Sequence, residues 1–306
     1  MAAWTRPPAG VTYAESLLDA QDSPGDPRLV SQGALLVIGA IAGYFVLYLG
    51  GTHAVAALGW LVTGRDGAYS DFYDAAVTGF GSPWGIWAAH FGLSILVLGA
   101  WAYYRLACHR RLAWLWSVMP GVRWRYGLLC LIAALILFGG YAGVTFAAGP
   151  GWQPPPDWVW YLVPIVVTSP LQALGEEVLF RGLLLQALGL IVPRPWFPVL
   201  FSALLFAFFH GAQNPWLFAS RFVFGILAGA LVWRTGGLEA GVAAHAANNL
   251  AAFGLALVTG ELTQTRTVTE ITPLAALGEA GLFAAVAAAA WGLAHVLRVP
   301  NRAPAA

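Results

Sequence analysis

The stretch "WVWYLVPIVVTSPLQALGEEVLFRGLLLQALGL", residues 158–190, combines an apolar run of membrane-spanning length with three charged residues. At a rise of 1.5 Å per residue, about 20 mostly apolar residues cross the hydrocarbon core of a bilayer. Glu176, Glu177 and Arg181 lie within this run, where one ionisable side chain costs about 2.5–3.5 kcal/mol to insert. The stretch therefore predicts a membrane-spanning helix that carries a functional polar group.

The rest of the chain has the same character. Of its 306 residues, 59% are hydrophobic and 9% are charged, and the mean hydropathy is +0.70. A soluble globular protein would carry about 25% charged residues. We therefore predict an all-α polytopic membrane protein with about eight transmembrane helices in a single bundle. The predicted spans are 30–50, 84–104, 127–148, 158–181 (or a longer version that ends at 188), 196–210, 216–233, 238–258 and 273–298.

Four regions follow from these spans. Residues 1–28 contain no apolar signal-peptide core and are expected to form a disordered cytoplasmic tail. Residues 29–157 hold the first three helices, and 158–258 hold the four helices with the polar motifs. Residues 259–306 contain the last helix and a C-terminal tail. The two cysteines, Cys108 and Cys130, provide neither a disulfide framework nor a metal motif.

The positions of the arginines predict the orientation of the chain in the membrane. All 15 basic residues are Arg, and basic residues accumulate in cytoplasmic loops. With eight spans and both termini cytoplasmic, only Arg65 and Arg266 fall in external loops. The cytoplasmic arginines are then Arg6, Arg28, Arg105, Arg110, Arg111, Arg123, Arg125, Arg194, Arg234, Arg298 and Arg302. The Arg-only, Ala-rich composition is typical of a high-GC bacterial gene, so we expect a bacterial plasma membrane. The net charge of +1 gives no reason to expect a nucleic-acid partner.

Helical spacing separates the three charges of the opening stretch. Glu177 and Arg181 are four residues apart with the acid first, the favourable order for an ion pair on one face. Glu176 points about 100° away from Glu177 and has no evident local partner. An unpaired carboxylate suits the role of a general base.

Two further polar motifs follow on later spans. "FAFFH" ends at His210, and Phe206 lies one helical turn before that imidazole. "HAANN" runs from His245 to Asn249, which are four residues apart and share a face. The three motifs reach similar depths in the membrane more easily if the fourth helix continues to Leu188. We therefore expect them to converge on one site.

The motifs EExxxR, FxxxH and HxxxN, in this order on consecutive helices, resemble the CPBP family. This family comprises the CAAX-protease and bacteriocin-processing (Abi) intramembrane proteases, with Rce1-type prenyl-protein endopeptidases as relatives. The resemblance covers about residues 158–258, which would be the catalytic core. It implies hydrolysis of a peptide bond in a protein or peptide delivered at the membrane.

The resemblance also implies roles for individual residues. Glu176 and His210 would activate a water, and His245 and Asn249 would stabilise the oxyanion. Glu177 and Arg181 would support Glu176. A metal-free mechanism without a cofactor is the favoured interpretation.

Several alternatives stay open at this point. A zinc-dependent version would use Glu176, His210 and His245 as ligands, since two His and one Glu can form a catalytic zinc site. A non-catalytic scaffold that regulates a sensor kinase or transporter is the main rival from another class. A proton-coupled transporter is a weaker one. Glu279 matches no motif, and we interpret it as structural or interfacial. Arg221 lies five residues into the sixth helix, and we expect its side chain to reach the external interface.

Overall fold

A computed structural model describes residues 6–23, 25–192 and 194–304 of the protein. Within these ranges the chain is helical and contains no strand beyond two isolated bridges. Eight long helices lie at the predicted positions. They are α1 (Pro27–Val62), α2 (Pro83–Ala107, with an irregularity at Ile95), α3 (Trp124–Ala148), α4 (158–191), α5 (Trp196–Phe208), α6 (Pro215–Thr235), α7 (Glu239–Thr259) and α8 (Pro273–Val296).

These helices make the protein an integral membrane protein. In the described ranges, α1, α2, α3, α6, α7 and α8 are long and apolar enough to cross a membrane, and α5 is a shorter apolar helix. Helix α1 is longer than its predicted span of 30–50. Its 36 residues correspond to a length of about 54 Å, so residues 51–62 are helical rather than part of an external loop.

Helix α4 is the central element, and its second half is the most deeply buried part of the bundle. It consists of an α-helical stretch, Trp158–Glu177, a π-helical stretch, Val178–Leu184, and a final α-helical stretch, Leu185–Ile191. The helix continues through Pro164 and Pro170 and ends after Leu188, which confirms the longer version of the prediction. Every residue from 175 to 190 is buried.

Close approaches of helix backbones position α4 and its neighbours. Gly175 lies against the backbone of Leu93 in α2, so that a Cβ at this position would collide with the Leu93 carbonyl oxygen. Gly225 and Gly229, the GxxxG pair of α6, pack in the same way against Ala203 and Val199 of α5. The absence of side chains at these two positions permits the close packing of α6 on α5.

Hydrogen bonds between loops show which loops lie at the same end of the bundle. At one end, the Gln153 amide donates to the Val258 carbonyl, and the Asn214 side chain donates to the Ile271 carbonyl. At the other end, the Val118 amide donates to the Gly236 carbonyl. These groupings agree with the predicted alternation of the loops between the two ends of the bundle.

The two ends of the described chain meet at this second end of the bundle. The Gly10 amide donates to the Ala303 carbonyl at 2.9 Å, and the Ala303 amide donates to the Val11 carbonyl at 2.9 Å. Tyr13 is fully buried, and its hydroxyl donates to the Leu115 carbonyl. The described part of the N-terminal segment, predicted to be a disordered tail, is therefore packed against the bundle. In the sequence, this packing is indicated only by the apolar residues and the helix cap around Tyr13, in a stretch too short to predict a helix.

Candidate active site

The first motif lies where the α-helical part of α4 becomes π-helical. Glu177 accepts a hydrogen bond from Arg181 Nη1 at 2.9 Å, and both side chains are fully buried. This confirms the ion pair predicted from their spacing. Arg181 also lies over the ring of Phe206, 4.1 Å from its centroid. The pair is therefore part of the core rather than of a surface.

Glu176 has a partner that the sequence analysis did not identify. Gln172, one helical turn earlier, donates through Nε2 to Glu176 Oε2 at 2.7 Å. The Oε1 atom of Gln172 accepts from Asn249 Nδ2 at 2.8 Å. One amide thus connects the first acid of EExxxR with the last residue of HxxxN. The available signal was a glutamine in an apolar run, four residues before Glu176.

His245 of α7 contacts both glutamates. Its Nδ1 lies 2.9 Å from Glu177 Oε1, and its Nε2 lies 3.5 Å from Glu176 Oε2. Since a carboxylate only accepts, Nδ1 must carry the proton of the shorter bond. The imidazole is 4% exposed. The first and third motifs are therefore in direct contact, as the predicted convergence requires.

His210 follows the end of α5 and reaches the site from another side. Its Nδ1 lies 2.7 Å from the Phe206 carbonyl oxygen, which can only accept a hydrogen bond. The proton is therefore on Nδ1, and Nε2 keeps a lone pair. Phe206 packs against the His210 ring at 4.6 Å, as predicted, and against the His245 ring at 5.9 Å. Among the described residues, no direct hydrogen bond joins His210 to Glu176.

The second and third motifs line one cavity of about 530 Å³. His210, His245 and Asn249 line it, while Glu176 lies behind His245 and is 5% exposed. Apolar side chains of α3, α7 and α8, such as Phe138 and Phe283, form much of the remaining wall. A polar cluster therefore faces a cavity that can hold an apolar chain segment.

The predicted zinc ligands do not form a metal site as placed. His245 Nδ1 is bound by Glu177, and its Nε2 lies 3.5 Å from Glu176 Oε2. Within the described ranges, no group of three or more His, Cys, Asp or Glu side chains is arranged to hold a metal ion. A catalytic zinc site needs three converging protein ligands. The three side chains as placed do not provide them.

Residues 158–251, which contain all three motifs, match the family model of Rce1-like type II CAAX prenyl endopeptidases. The similarity covers this part of the chain. The match supports a CAAX-type intramembrane protease in general, and it agrees with the resemblance predicted from the motifs.

A second similarity is to an uncharacterized protein of Bacillus subtilis (strain 168), YyaK. The chain is 35% identical to it over 99 residues, which are 30% of the chain and 33% of YyaK. The chain thus spans about a third of the length of this curated relative.

Proposed function

We propose that the protein is an intramembrane endopeptidase that hydrolyses a peptide bond in a protein or peptide delivered at the membrane. We place it in a bacterial plasma membrane with both termini in the cytoplasm. The observation that carries the activity is the contact of the first motif with the third, which lines one cavity together with the second: His245 is bonded to Glu177, and Gln172 joins Glu176 to Asn249. The adjacent chain ends and the distribution of arginines support the topology.

Glu176 and His210 are the groups proposed to activate water. Gln172 holds Glu176 Oε2, and Oε1 accepts no hydrogen bond from a described residue. The Phe206 carbonyl fixes the tautomer of His210, so Nε2 can accept a proton or orient a water molecule. Water attacks the peptide carbonyl carbon while its proton moves to Glu176 or His210. When the C–N bond breaks, this proton passes to the leaving amine.

His245 and Asn249 are the proposed oxyanion donors. Asn249 uses one amide N–H for Gln172 and keeps a second one. His245 presents its Nε2 edge on the same face of α7, and a protonated Nε2 would complete a two-donor site. Removing one donor of an oxyanion hole lowers kcat by about 10²–10³-fold. Glu177 positions His245 and does not itself need to touch the substrate.

Replacement of Glu176 by Gln tests the proposal. Cleavage of quenched fluorescent peptides by protein in proteoliposomes should fall by about 10²–10⁴-fold, the contribution of a general acid–base group. Glu270→Gln, at an exposed position outside the cavity, is the matched control and should cleave at the wild-type rate.

Two outcomes would contradict this mechanism. If Glu176→Gln cleaves as fast as the wild type, the residue is not catalytic, and the non-catalytic scaffold becomes the better interpretation. If a chelator abolishes cleavage and zinc restores it, the zinc-dependent version replaces the metal-free one.

A further inference from the structure

Arg221 of α6 lies in the same cavity as His210, His245 and Asn249. It was expected to reach the external interface as a single charge without a specific role. Instead its Nη1 donates to Gln213 Oε1 at 2.7 Å and lies 3.5 Å from the carbonyl oxygen of His210. A guanidinium group is thus placed beside the residue that would help to activate water.

The position of this guanidinium is fixed by a second hydrogen bond. Gln213 Nε2 donates to the Ala207 carbonyl at 2.6 Å, so its Oε1 is held toward Arg221. Nε and Nη2 of Arg221 have no hydrogen-bond partner among the described residues. The planar arrangement of these donors matches the two oxygens of a carboxylate. The cation is therefore preorganised, with its binding edge free.

The other charged groups of the cavity leave this edge open. Glu279 of α8 faces it but accepts a hydrogen bond from the Ser220 hydroxyl. Glu261 lines the rim of the cavity and is exposed. Neither forms an ion pair with Arg221 among the described residues. A ligand carboxylate that reached Nε and Nη2 of Arg221 would accept two charge-assisted hydrogen bonds there.

We infer that Arg221 forms a carboxylate-binding subsite next to the catalytic residues. It would select peptides with a carboxylate, either a C-terminus or an acidic side chain, within a few residues of the bond that is cleaved. This inference deepens the proposed function and rests on it. It assigns to Arg221 a role in specificity, because Arg221 contacts the substrate carboxylate rather than the reacting carbonyl.

Three labelled peptides with the same apolar Leu/Ala sequence provide the test. The first has a free C-terminal carboxylate, the second has an amidated C-terminus, and the third is amidated but has one Ala replaced by Asp. Their Kd values are measured by fluorescence anisotropy with Glu176→Gln protein in nanodiscs, so that no cleavage interferes. We expect the first or third peptide to bind about tenfold more tightly than the second, the size of a charge-assisted hydrogen bond.

Variants in the same Glu176→Gln background identify the residue responsible. Adding Arg221→Gln should abolish the preference, and Arg221→Lys, which keeps the charge without the planar fork, should retain part of it. Arg234→Gln is the matched control. Arg234 is exposed near the other end of α6, stacks on Trp233 and Trp291, and does not line the cavity. That variant should keep the full preference. Size-exclusion elution and thermal unfolding show which variants are folded.

The outcomes separate the two proposals. Equal affinity for all three peptides, no binding of any, or a preference that survives both Arg221 substitutions would overturn the subsite. If the preference holds but wild-type protein cleaves none of the peptides that it binds, the subsite stands and the proposed endopeptidase fails. The first peptide identifies a C-terminus as the source of the carboxylate, and the third identifies an acidic side chain.

Discussion

Two arginine–glutamate pairs, each with a buried glutamate, lie in different parts of this molecule, and their surroundings differ. At the predicted cytoplasmic end, Glu239 accepts from the backbone N–H and Nε of Arg123 at 3.0 and 2.9 Å, and also from its Nη2. Arg123 Nη1 donates to the carbonyls of Thr235 and Pro300. Both carboxylate oxygens and every nitrogen of this guanidinium have a partner. Such a pair connects a loop to α7, and all its donor and acceptor atoms are already used within the protein.

The pair in the site is incomplete by comparison. Glu177 and Arg181 share one bond, and Glu177 Oε2, Arg181 Nε and Arg181 Nη2 are buried without a hydrogen-bond partner. Buried polar groups in proteins are normally paired. An incomplete network costs stability and is typical of functional sites. The contrast indicates that the Glu239 pair is structural, whereas the Glu177 pair is maintained because it positions His245.

The same substitution in both pairs should produce the largest effects. Glu177→Gln leaves the fully buried Arg181 without its anion, which costs about 3–5 kcal/mol of unfolding free energy. Glu239→Gln should cost less, because the side chain of Arg123 is partly exposed. We expect only Glu177→Gln to lower the rate of cleavage per folded molecule, because only Glu177 holds the His245 ring. Thermal unfolding and specific activity, measured on the same preparations, check this. An equal loss of specific activity in both variants would remove the distinction.

Two buried glutamines allow a milder version of the comparison. Gln172 joins Glu176 to Asn249, while Gln186 joins the Tyr104 hydroxyl to the Trp114 carbonyl. Replacing either by Leu leaves buried groups unsatisfied, at a cost of about 1–3 kcal/mol. Gln172→Leu should also reduce kcat by about tenfold or more, and Gln186→Leu should not. If kcat is unchanged in Gln172→Leu, the amide does not position Glu176.

Substitutions at two glycines allow close packing at the site to be compared with close packing away from it. A methyl group at Gly175 would meet the Leu93 carbonyl, and one at Gly189 would meet the Ala14 carbonyl of the N-terminal segment. Each change to Ala should destabilise the fold by about 1–3 kcal/mol, the usual cost of overpacking. Gly175→Ala should reduce cleavage because it displaces Glu176, whereas Gly189→Ala should loosen the N-terminal segment. Hydrogen exchange of residues 6–23 measures the loosening of the N-terminal segment. If kcat falls equally in Gly175→Ala and Gly189→Ala, close packing at Gly175 does not position Glu176.

The smallest expected effect is at Tyr13, away from the site. Burial raises the pKa of the Tyr13 hydroxyl above the ordinary value of 10.0. The folded protein therefore keeps this proton more tightly than the unfolded chain, so the stabilisation is present below pH 10 and declines as the pH rises further. Tyr13→Phe loses one hydrogen bond, about 1 kcal/mol at neutral pH. The difference in unfolding free energy between the wild type and Tyr13→Phe should shrink above pH 10, as measured by thermal unfolding. A difference that stays constant with pH would argue against a buried hydroxyl.

Much of the fold and part of the site could be predicted from the sequence. Hydropathy located all eight helices, and four-residue spacing identified the Glu177–Arg181 pair. Spacing could not show that Gln172 bridges Glu176 and Asn249, because that contact joins α4 to α7 and depends on how the helices pack. It could not place Arg221 either, since a charge near the start of a span has the same pattern whether it faces lipid headgroups or a cavity. The packed N-terminal segment was missed because its contacts are with distant parts of the chain.

The π-helical stretch 178–184 also affects how many residues α4 contains and in which direction their side chains point. A π-helical turn contains one residue more than an α-helical turn, and such turns arise by insertion of a single residue. Removal of one residue from this stretch would restore regular α-helix and leave the residues beyond it facing nearly the same way, because the wider turn takes up the extra residue. Gln186 and Gly189 would then still face Trp114 and Ala14, and the change would be confined to the segment around Arg181. Homologous chains with a regular helix in this stretch should therefore be one residue shorter there and keep both contacts.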